Sequence, residues 1–172
     1  MSNTQKTLLA IVAIIIIVLV IIFALHTPPS SPVGTATTTP ATIPGGWVMA
    51  TSTSGLSFAY PPTLSTGYIA TTATDWPPQI NLSQYPYSCT AAERTVNGHT
   101  YCVTTESQGA AGSIYNLYAY AFVNQGKTLI FTFSLRYPQC ANYPDPNKTS
   151  CTNEESSFNV DSLVDQMAQT IR

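Results

Sequence analysis

Charged side chains are scarce in this sequence. Only 6 Lys or Arg and 8 Asp or Glu occur among 172 residues, so 8% of the chain is charged, against about 25% in an ordinary soluble domain. So few cations cannot neutralise a run of phosphates, which excludes nucleic-acid binding through a basic patch. The same scarcity excludes a charge-rich disordered chain and a coiled coil.

The N-terminal part of the chain has one charge, Lys6, followed by an uninterrupted apolar run over residues 8–25. As a helix, residues 7–25 would span about 28 Å, close to the hydrocarbon thickness of a bilayer. The pattern therefore predicts a transmembrane helix over 7–25, preceded by a short cytoplasmic segment, 1–6. No further Lys or Arg occurs before Arg94, which places the N-terminus inside and the rest of the chain outside the cytoplasm.

The apolar run is longer than the core of a typical signal peptide, and no small-x-small cleavage pattern follows it. We therefore interpret it as an uncleaved signal-anchor of a single-pass cell-membrane protein, with a cleaved signal peptide as the alternative. Residues 26–46 contain five prolines and no charge. They are interpreted as a Pro/Thr/Ser-rich spacer, with a glycosylated or wall-spanning stalk as the alternative.

Residues 47–172 are long enough for one hydrophobic core. The run Thr128–Tyr137 alternates apolar and polar residues with a period of two, which predicts a half-buried strand. Ile114–Val123 precedes it across a Gly-containing turn, and the two form a predicted hairpin in which Tyr120 lies opposite Phe131. Further strands are predicted at Arg94–Val96 and His99–Thr105 around the Asn97-Gly98 turn, at Trp47–Thr53, at Gly55–Tyr60 and, in an otherwise loop-rich stretch 61–88, near Gly67–Thr72.

The C-terminal stretch changes to a helical period. Asn159 is a suitable N-cap, and the following apolar residues share one helical face: Val160, Leu163, Val164, Met167 and Ile171. The sequence thus predicts an α+β domain, an antiparallel sheet with a C-terminal helix packed on one face, preceded by the transmembrane helix.

The four cysteines, Cys89, Cys102, Cys140 and Cys151, form an even set outside the membrane, which indicates two disulfides. We favour the local pairing of Cys89 with Cys102 and of Cys140 with Cys151, the latter closing a polar loop without regular structure. A zinc site is the rival interpretation, but no C-x-x-C pair and no nearby histidine pattern favours it.

The sequence shows no motif for catalysis, and no cofactor or metal is predicted. His99, the domain's histidine, sits beside a turn and is interpreted as a surface residue; Glu154 and Glu155 are expected to be solvated. No G-x-S-x-G or S-x-x-K pattern is present. The aromatic residues Trp76, Tyr115 and Tyr118 are the candidate binding surface, because Tyr and Trp combine apolar area with a polar group.

Three segments carry a resemblance to a known family. The string Gly55–Pro61, the hairpin region Val96–Thr104 and the final helix Phe158–Met167 resemble small bacterial membrane-anchored extracytoplasmic proteins with a PsbP/Mog1-like α+β fold. This resemblance implies a largely non-catalytic protein that assists larger assemblies, and it carries over no functional residue.

The leading prediction is a non-catalytic, membrane-anchored extracytoplasmic domain that binds a protein or glycan partner in the cell envelope. One alternative is an envelope hydrolase, which would require His99, a carboxylate and a serine to meet in a cleft. The other is a pilin-like subunit, against which the processing pattern is missing and Pro28-Pro29 interrupts the helix.

Overall fold

The computed structural model describes residues 42–172. The predicted segments 1–6 and 7–25, together with most of the spacer 26–46, lie outside the described residues. Within residues 42–172, no helix has the length and apolar character needed to cross a membrane.

The described chain is an α+β fold with mostly antiparallel sheets. Its strands are β1 (Val48–Thr51), β2 (Ser57–Tyr60), β3 (Ala70–Thr71), β4 (Gln79–Leu82), β5 (Ala92–Val96), β6 (His99–Ala110), β7 (Ser113–Asn124) and β8 (Lys127–Pro138). A short 3₁₀ helix (Cys140–Asn142) and two α-helices, α1 (Asn147–Ser157) and α2 (Val160–Gln169), follow.

Strands β5 to β8 form an antiparallel meander, and β3 and β4 both pair with the outer edge of β8. β3 pairs near Arg136 and β4 pairs around Phe131, so the two short strands follow one another along the same edge. β1 and β2 form a separate two-stranded sheet.

Each hairpin of the meander closes on two residues with positive φ, the second of which is Gly. These pairs are Asn97-Gly98 (49° and 85°), Ala111-Gly112 (48° and 74°) and Gln125-Gly126 (50° and 75°). Positive φ at both positions defines the type I′ turn, whose twist matches that of the flanking strands. The predicted turn at Asn97-Gly98 is therefore confirmed.

The predicted register of β7 against β8 is also confirmed, with Tyr120 opposite Phe131 and Tyr118 opposite Phe133. One face of the sheet, which we call the core face, carries the aromatic side chains. Its most deeply buried members are Tyr101, Val103, Tyr120, Phe122, Leu129, Phe131, Phe133 and Leu135.

Helix α2 and the β1–β2 hairpin cover the core face. Val164 and Met167 of α2 are fully buried, and the Phe58 ring meets the Phe131 ring edge-on with centroids 5.0 Å apart. The Asn159 side chain accepts a hydrogen bond from the Ser162 amide at 2.9 Å. The predicted helix, its N-cap and its packing on one face of the sheet are thus confirmed.

Two sequence predictions were wrong. The stretch 61–88 contains the strand β4, and the loop between Cys140 and Cys151 contains the 3₁₀ helix and the start of α1 rather than irregular chain. Helix α1 has no apolar stripe, and only Cys151 of its residues is buried. Its stability comes from tertiary contacts that the hydrophobic pattern does not show.

Both predicted disulfides are present, with Cα–Cα distances of 5.3 Å for Cys89–Cys102 and 5.6 Å for Cys140–Cys151. The first lies on the sheet face opposite the core face, since Cys102 alternates with the core residues Tyr101 and Val103. Residues 83–91 connect β4 at one edge to β5 at the other, and this disulfide fixes the connection to the sheet.

Candidate functional site

The three predicted binding residues do not form one surface. Tyr118 is 6% exposed and stacks on Phe133 in the core, with ring centroids 5.3 Å apart. Trp76 is half-buried, meets the Phe133 ring edge-on and donates a hydrogen bond from Nε1 to the Pro61 carbonyl at 2.9 Å. Tyr115 lies three residues before Tyr118 and therefore on the opposite face of β7. Only Tyr115 belongs to the face that α2 leaves uncovered.

A polar network joins α2 to the β5–β6 turn, and its centre is Asp165, which is fully buried. Its Oδ1 accepts hydrogen bonds from the Tyr101 hydroxyl at 2.6 Å and from His99 Nδ1 at 2.8 Å. Its Oδ2 accepts from Asn97 Nδ2 and Gln169 Nε2, each at 2.8 Å. The carboxylate is therefore satisfied by four donors, as a buried charge requires.

Asp161, one helical turn earlier, extends the same network. Its Oδ1 accepts from the Tyr120 hydroxyl at 2.5 Å and from Arg94 Nη1 at 2.8 Å. Residues four apart share one face of a helix, so Asp161 and Asp165 both point at the β5–β6 hairpin. Together they fix the angle of α2 on the sheet.

The environment of Asp165 favours the ionised carboxylate. Burial by itself would raise its pKa, but hydrogen bonds from Tyr101, Asn97 and His99 outweigh burial and hold the pKa below its usual value. Burial, reinforced by the neighbouring carboxylates, raises the pKa of the Tyr101 and Tyr120 hydroxyls far above their usual value. The tyrosines therefore act as permanent donors, and Asp165 as a permanent acceptor, at neutral pH.

The His99–Asp165 pair has the geometry in which a carboxylate orients an imidazole. The His99 side chain is 55% exposed, so its second ring nitrogen can reach solvent. Among residues 42–172, no serine, threonine or tyrosine hydroxyl makes a hydrogen bond to that ring. The pair thus has the geometry of an imidazole and its orienting carboxylate, and within residues 42–172 no nucleophile makes a hydrogen bond to the imidazole.

Glu154 is not solvated as expected, because its carboxylate binds three successive backbone amides. Oε2 accepts from Gly67 at 2.7 Å, and Oε1 accepts from Tyr68 at 2.7 Å and Ile69 at 2.8 Å. Burial opposes ionisation, but the three amides lower the pKa of Glu154 below its usual value. Burial, then the nearby Glu154 charge, raises the pKa of Glu155. Glu154 therefore attaches α1 to the segment before β3.

The remaining polar clusters also have structural roles. Asp75 accepts hydrogen bonds from the Ser134 hydroxyl and, at 3.1 Å, from the Thr72 hydroxyl, which fixes the loop after β3 to β8. The possible ligand atoms of Cys140, Cys151 and Glu155 lie within 4.8 Å of one another. The two sulfurs are joined as a disulfide, so neither is a thiolate that could bind zinc.

The sheet face opposite α2 is partly uncovered. We call its exposed region around the middle of β7 the open face; its members in neighbouring strands are Thr104, Glu106, Tyr115, Leu117, Ala119 and Thr132. Leu117 at its centre is 45% exposed. Glu106 and Arg136, which pairs with Tyr115 on the same face, are the charges on this part of the sheet, and the other side chains are uncharged, so the open face is suited mainly to apolar and hydrogen-bonded contacts.

A scan against protein-family models, a search of curated proteins and a search of solved structures each found no match.

No sequence motif marks the Asp165 network. One signal was available, because Asp161 and Asp165 lie four residues apart on a helix, where like charges repel unless they have partners. Their partners are distant in the chain: Arg94 is 67 positions from Asp161, and His99 is 66 positions from Asp165. Only the fold brings these groups together.

Proposed function

We propose that this chain is a non-catalytic, single-pass, membrane-anchored extracytoplasmic protein whose domain binds a protein partner in the cell envelope. The observation that carries this proposal is the open face, an exposed part of the sheet with few charges and with Leu117 at its centre. The predicted anchor and spacer would hold this face away from the membrane. The resemblance to PsbP/Mog1-like proteins, which assist larger assemblies, agrees with a supporting role.

The chemistry of the described carboxylates also supports binding over catalysis. Asp75, Glu154, Asp161 and Asp165 each accept hydrogen bonds that join two parts of the fold. A catalytic acid or base must instead be available to a substrate. The affinity of a partner for the open face would depend little on salt concentration, because this face has few charged side chains for salt to screen.

Site-specific photocrosslinking in intact cells tests the proposal. A photoreactive phenylalanine analogue at Leu117 is expected to capture one defined envelope protein, and the matched analogue at the exposed Gln166 of α2 is not. Ala119→Arg, which adds a charge beside Leu117, is expected to reduce the yield at least several-fold. Equal yields at Leu117 and Gln166, or adducts formed with glycan alone, would contradict a protein-binding open face.

The envelope hydrolase is the second candidate, and the His99–Asp165 contact is the observation that favours it. A hydrolase would release soluble fragments from purified cell-wall material, and His99→Gln would abolish this release while keeping a polar side chain near Asp165. We expect the wild-type chain and the His99→Gln variant to give the same background release. Fragment release that depends on His99 would replace the binding proposal with the catalytic one.

A further inference from the structure

Among the described residues, 42–172, no strand pairs with the outer side of the second half of β6. β5 pairs only with His99–Val103, and its register ends where Ala92 meets Val103. The continuation of β6 from Thr104 to Ala110 pairs with β7 on one side, and all seven of its residues are exposed. Within residues 42–172, no backbone group of this segment has a partner on its outer side.

The direction of the backbone groups along this edge follows from the turns. The type I′ turn at Asn97-Gly98 makes Val96–His99 a hydrogen-bonded pair, and the alternation continues through Arg94–Tyr101 and Ala92–Val103. Odd-numbered residues of β6 therefore point their amide and carbonyl groups toward the β5 side. Beyond Val103 these residues are Thr105, Ser107 and Gly109, and their outward groups have no partner in the part of the chain that the structure describes.

The edge lacks the features that usually prevent strand addition. Native edge strands are protected by Lys, Pro, bulges or a covering element. The segment Thr104–Ala110 contains no Lys or Pro, pairs with β7 without a bulge, and has Glu106 as its one charge. A strand of matching pattern can therefore extend the sheet here.

We propose that this edge pairs with the same edge of a second copy of the chain, as an antiparallel two-fold interface centred on Ser107. In this register Ser107 faces Ser107, and Thr105 faces Gly109, so every outward amide of one copy meets an outward carbonyl of the other. Glu106 faces Gln108 of the second copy rather than another glutamate. The interface ends at Thr104, beside the start of β5.

A register shifted by one residue on each strand is less suitable. Centring on Glu106 would place two carboxylates opposite each other, and like charges directly opposite are unfavourable. It would also place Gly109 opposite Val103, whose outward backbone groups already pair with Ala92 of β5. The sequence of the edge thus favours the pairing centred on Ser107 over the one centred on Glu106, and the resulting dimer would carry one continuous sheet across both copies.

A proline substitution tests this proposal with a matched control. Ser107→Pro removes the outward amide at the centre of the interface, where proline costs no hydrogen bond to β7. Ser107→Ala keeps that amide and, like the proline variant, loses the 2.7 Å hydrogen bond from the Ser107 hydroxyl to Asn116. The full chain in detergent micelles is examined by light scattering after size-exclusion chromatography, with circular dichroism to verify folding.

The wild-type chain and Ser107→Ala are expected to have the protein mass of two copies, and Ser107→Pro that of one copy. If Ser107→Pro does not fold, Ser107→Lys keeps the amide and places two positive charges face to face, with the same expected loss. A dimeric Ser107→Lys or folded Ser107→Pro would overturn the proposal, since contacts elsewhere would then hold the copies together.

Disulfide trapping locates the contact. Ser107→Cys is expected to give a covalent dimer that thiol reagents reverse, and Gln79→Cys on the opposite edge of the sheet is not. A monomeric wild-type chain without trapping at position 107 overturns the proposal. Protection of the Ser107 amide from hydrogen exchange in that monomer would show that the chain's own N-terminal region pairs with the edge. Capture of a different protein at position 107 would show that a strand of that protein pairs with the edge.

Discussion

Replacing Asp165 by Asn removes the charge at the centre of the α2 network while keeping the shape of the side chain. One carboxylate oxygen becomes an amide donor, which must face either Tyr101 and His99 or Asn97 and Gln169. Two existing donors therefore lose their acceptor. We expect the new amide to face Asn97 and Gln169, because those groups can turn to water, whereas the hydroxyl of Tyr101, a residue only 1% exposed, cannot.

The expected loss follows from the number of hydrogen bonds affected. A hydrogen bond to a charged group contributes about 1.5–3 kcal/mol, and a neutral one about 1 kcal/mol. Two of the four hydrogen bonds to residue 165 are lost, and water takes up their donors. The other two become weaker, because their acceptor changes from a charged carboxylate to a neutral amide oxygen. The free energy of unfolding should fall by about 3 kcal/mol, which lowers the Tm of a domain of this size by about 10 °C.

Thermal unfolding followed by tryptophan fluorescence measures the effect, because both tryptophans, Trp47 and Trp76, lie in the described domain. The control is Asp145→Asn, whose exposed carboxylate accepts one hydrogen bond, from Thr149 at 3.0 Å; its Tm should change by less than about 2 °C. Tyr101→Phe completes a double-mutant cycle with Asp165→Asn, and a coupling of about 1–2 kcal/mol is expected. Equal Tm losses for Asp165→Asn and Asp145→Asn, or zero coupling, would refute the network's role.

The other predictions concern pH, α1 and the second disulfide. Because the folded-state pKa of Asp165 is lowered, its contribution to the free energy of unfolding is complete above the unfolded pKa of about 3.9 and is lost as pH falls further. Between pH 6 and pH 3 the urea midpoint should therefore fall less steeply in Asp165→Asn than in the wild-type chain. Parallel curves for the two proteins would contradict this prediction. Glu154→Gln should speed hydrogen exchange of the amides at 67–69, which its carboxylate binds, while Glu155→Gln should not; unchanged exchange in the former would show that the contact does not hold the segment. Replacing both Cys140 and Cys151 by Ser should lower the free energy of unfolding by about 3 kcal/mol, since their sequence separation is 11, and an unchanged urea midpoint would count against it.

Local patterns account for the parts of the fold that were predicted correctly. The alternation in β7 and β8 and the Gly at each turn determine both the strands and their register, because a shift by one residue would move Phe131 and Phe133 to the open face. The cysteine pairing followed from short separations in sequence. The helix α2 followed from its apolar face, with Val164 and Met167 at its centre.

Elements without a local pattern were missed. Helix α1 is polar on all sides and is held by Glu154 and by the Cys140–Cys151 disulfide, while β4 is a four-residue strand whose only buried side chain is Ile80. The candidate surface was predicted from residue type alone. Tyr115 and Tyr118 are three positions apart, so the strand period already separates them onto two faces. The position of Trp76 depends on tertiary contacts, such as the one with the Phe133 ring, which no local pattern shows.

The three two-residue turns of the meander have a consequence for how the domain folds. They join strands that are adjacent in sequence, so the pairing of β5 to β8 can proceed by successive local steps without closing a long loop. The pairing of β3 with β8 joins Ala70 to Arg136, and α2 must reach back to β5. We therefore expect residues 92–138 to form the folding nucleus, with the N-terminal strands and α2 docking onto a sheet that already exists.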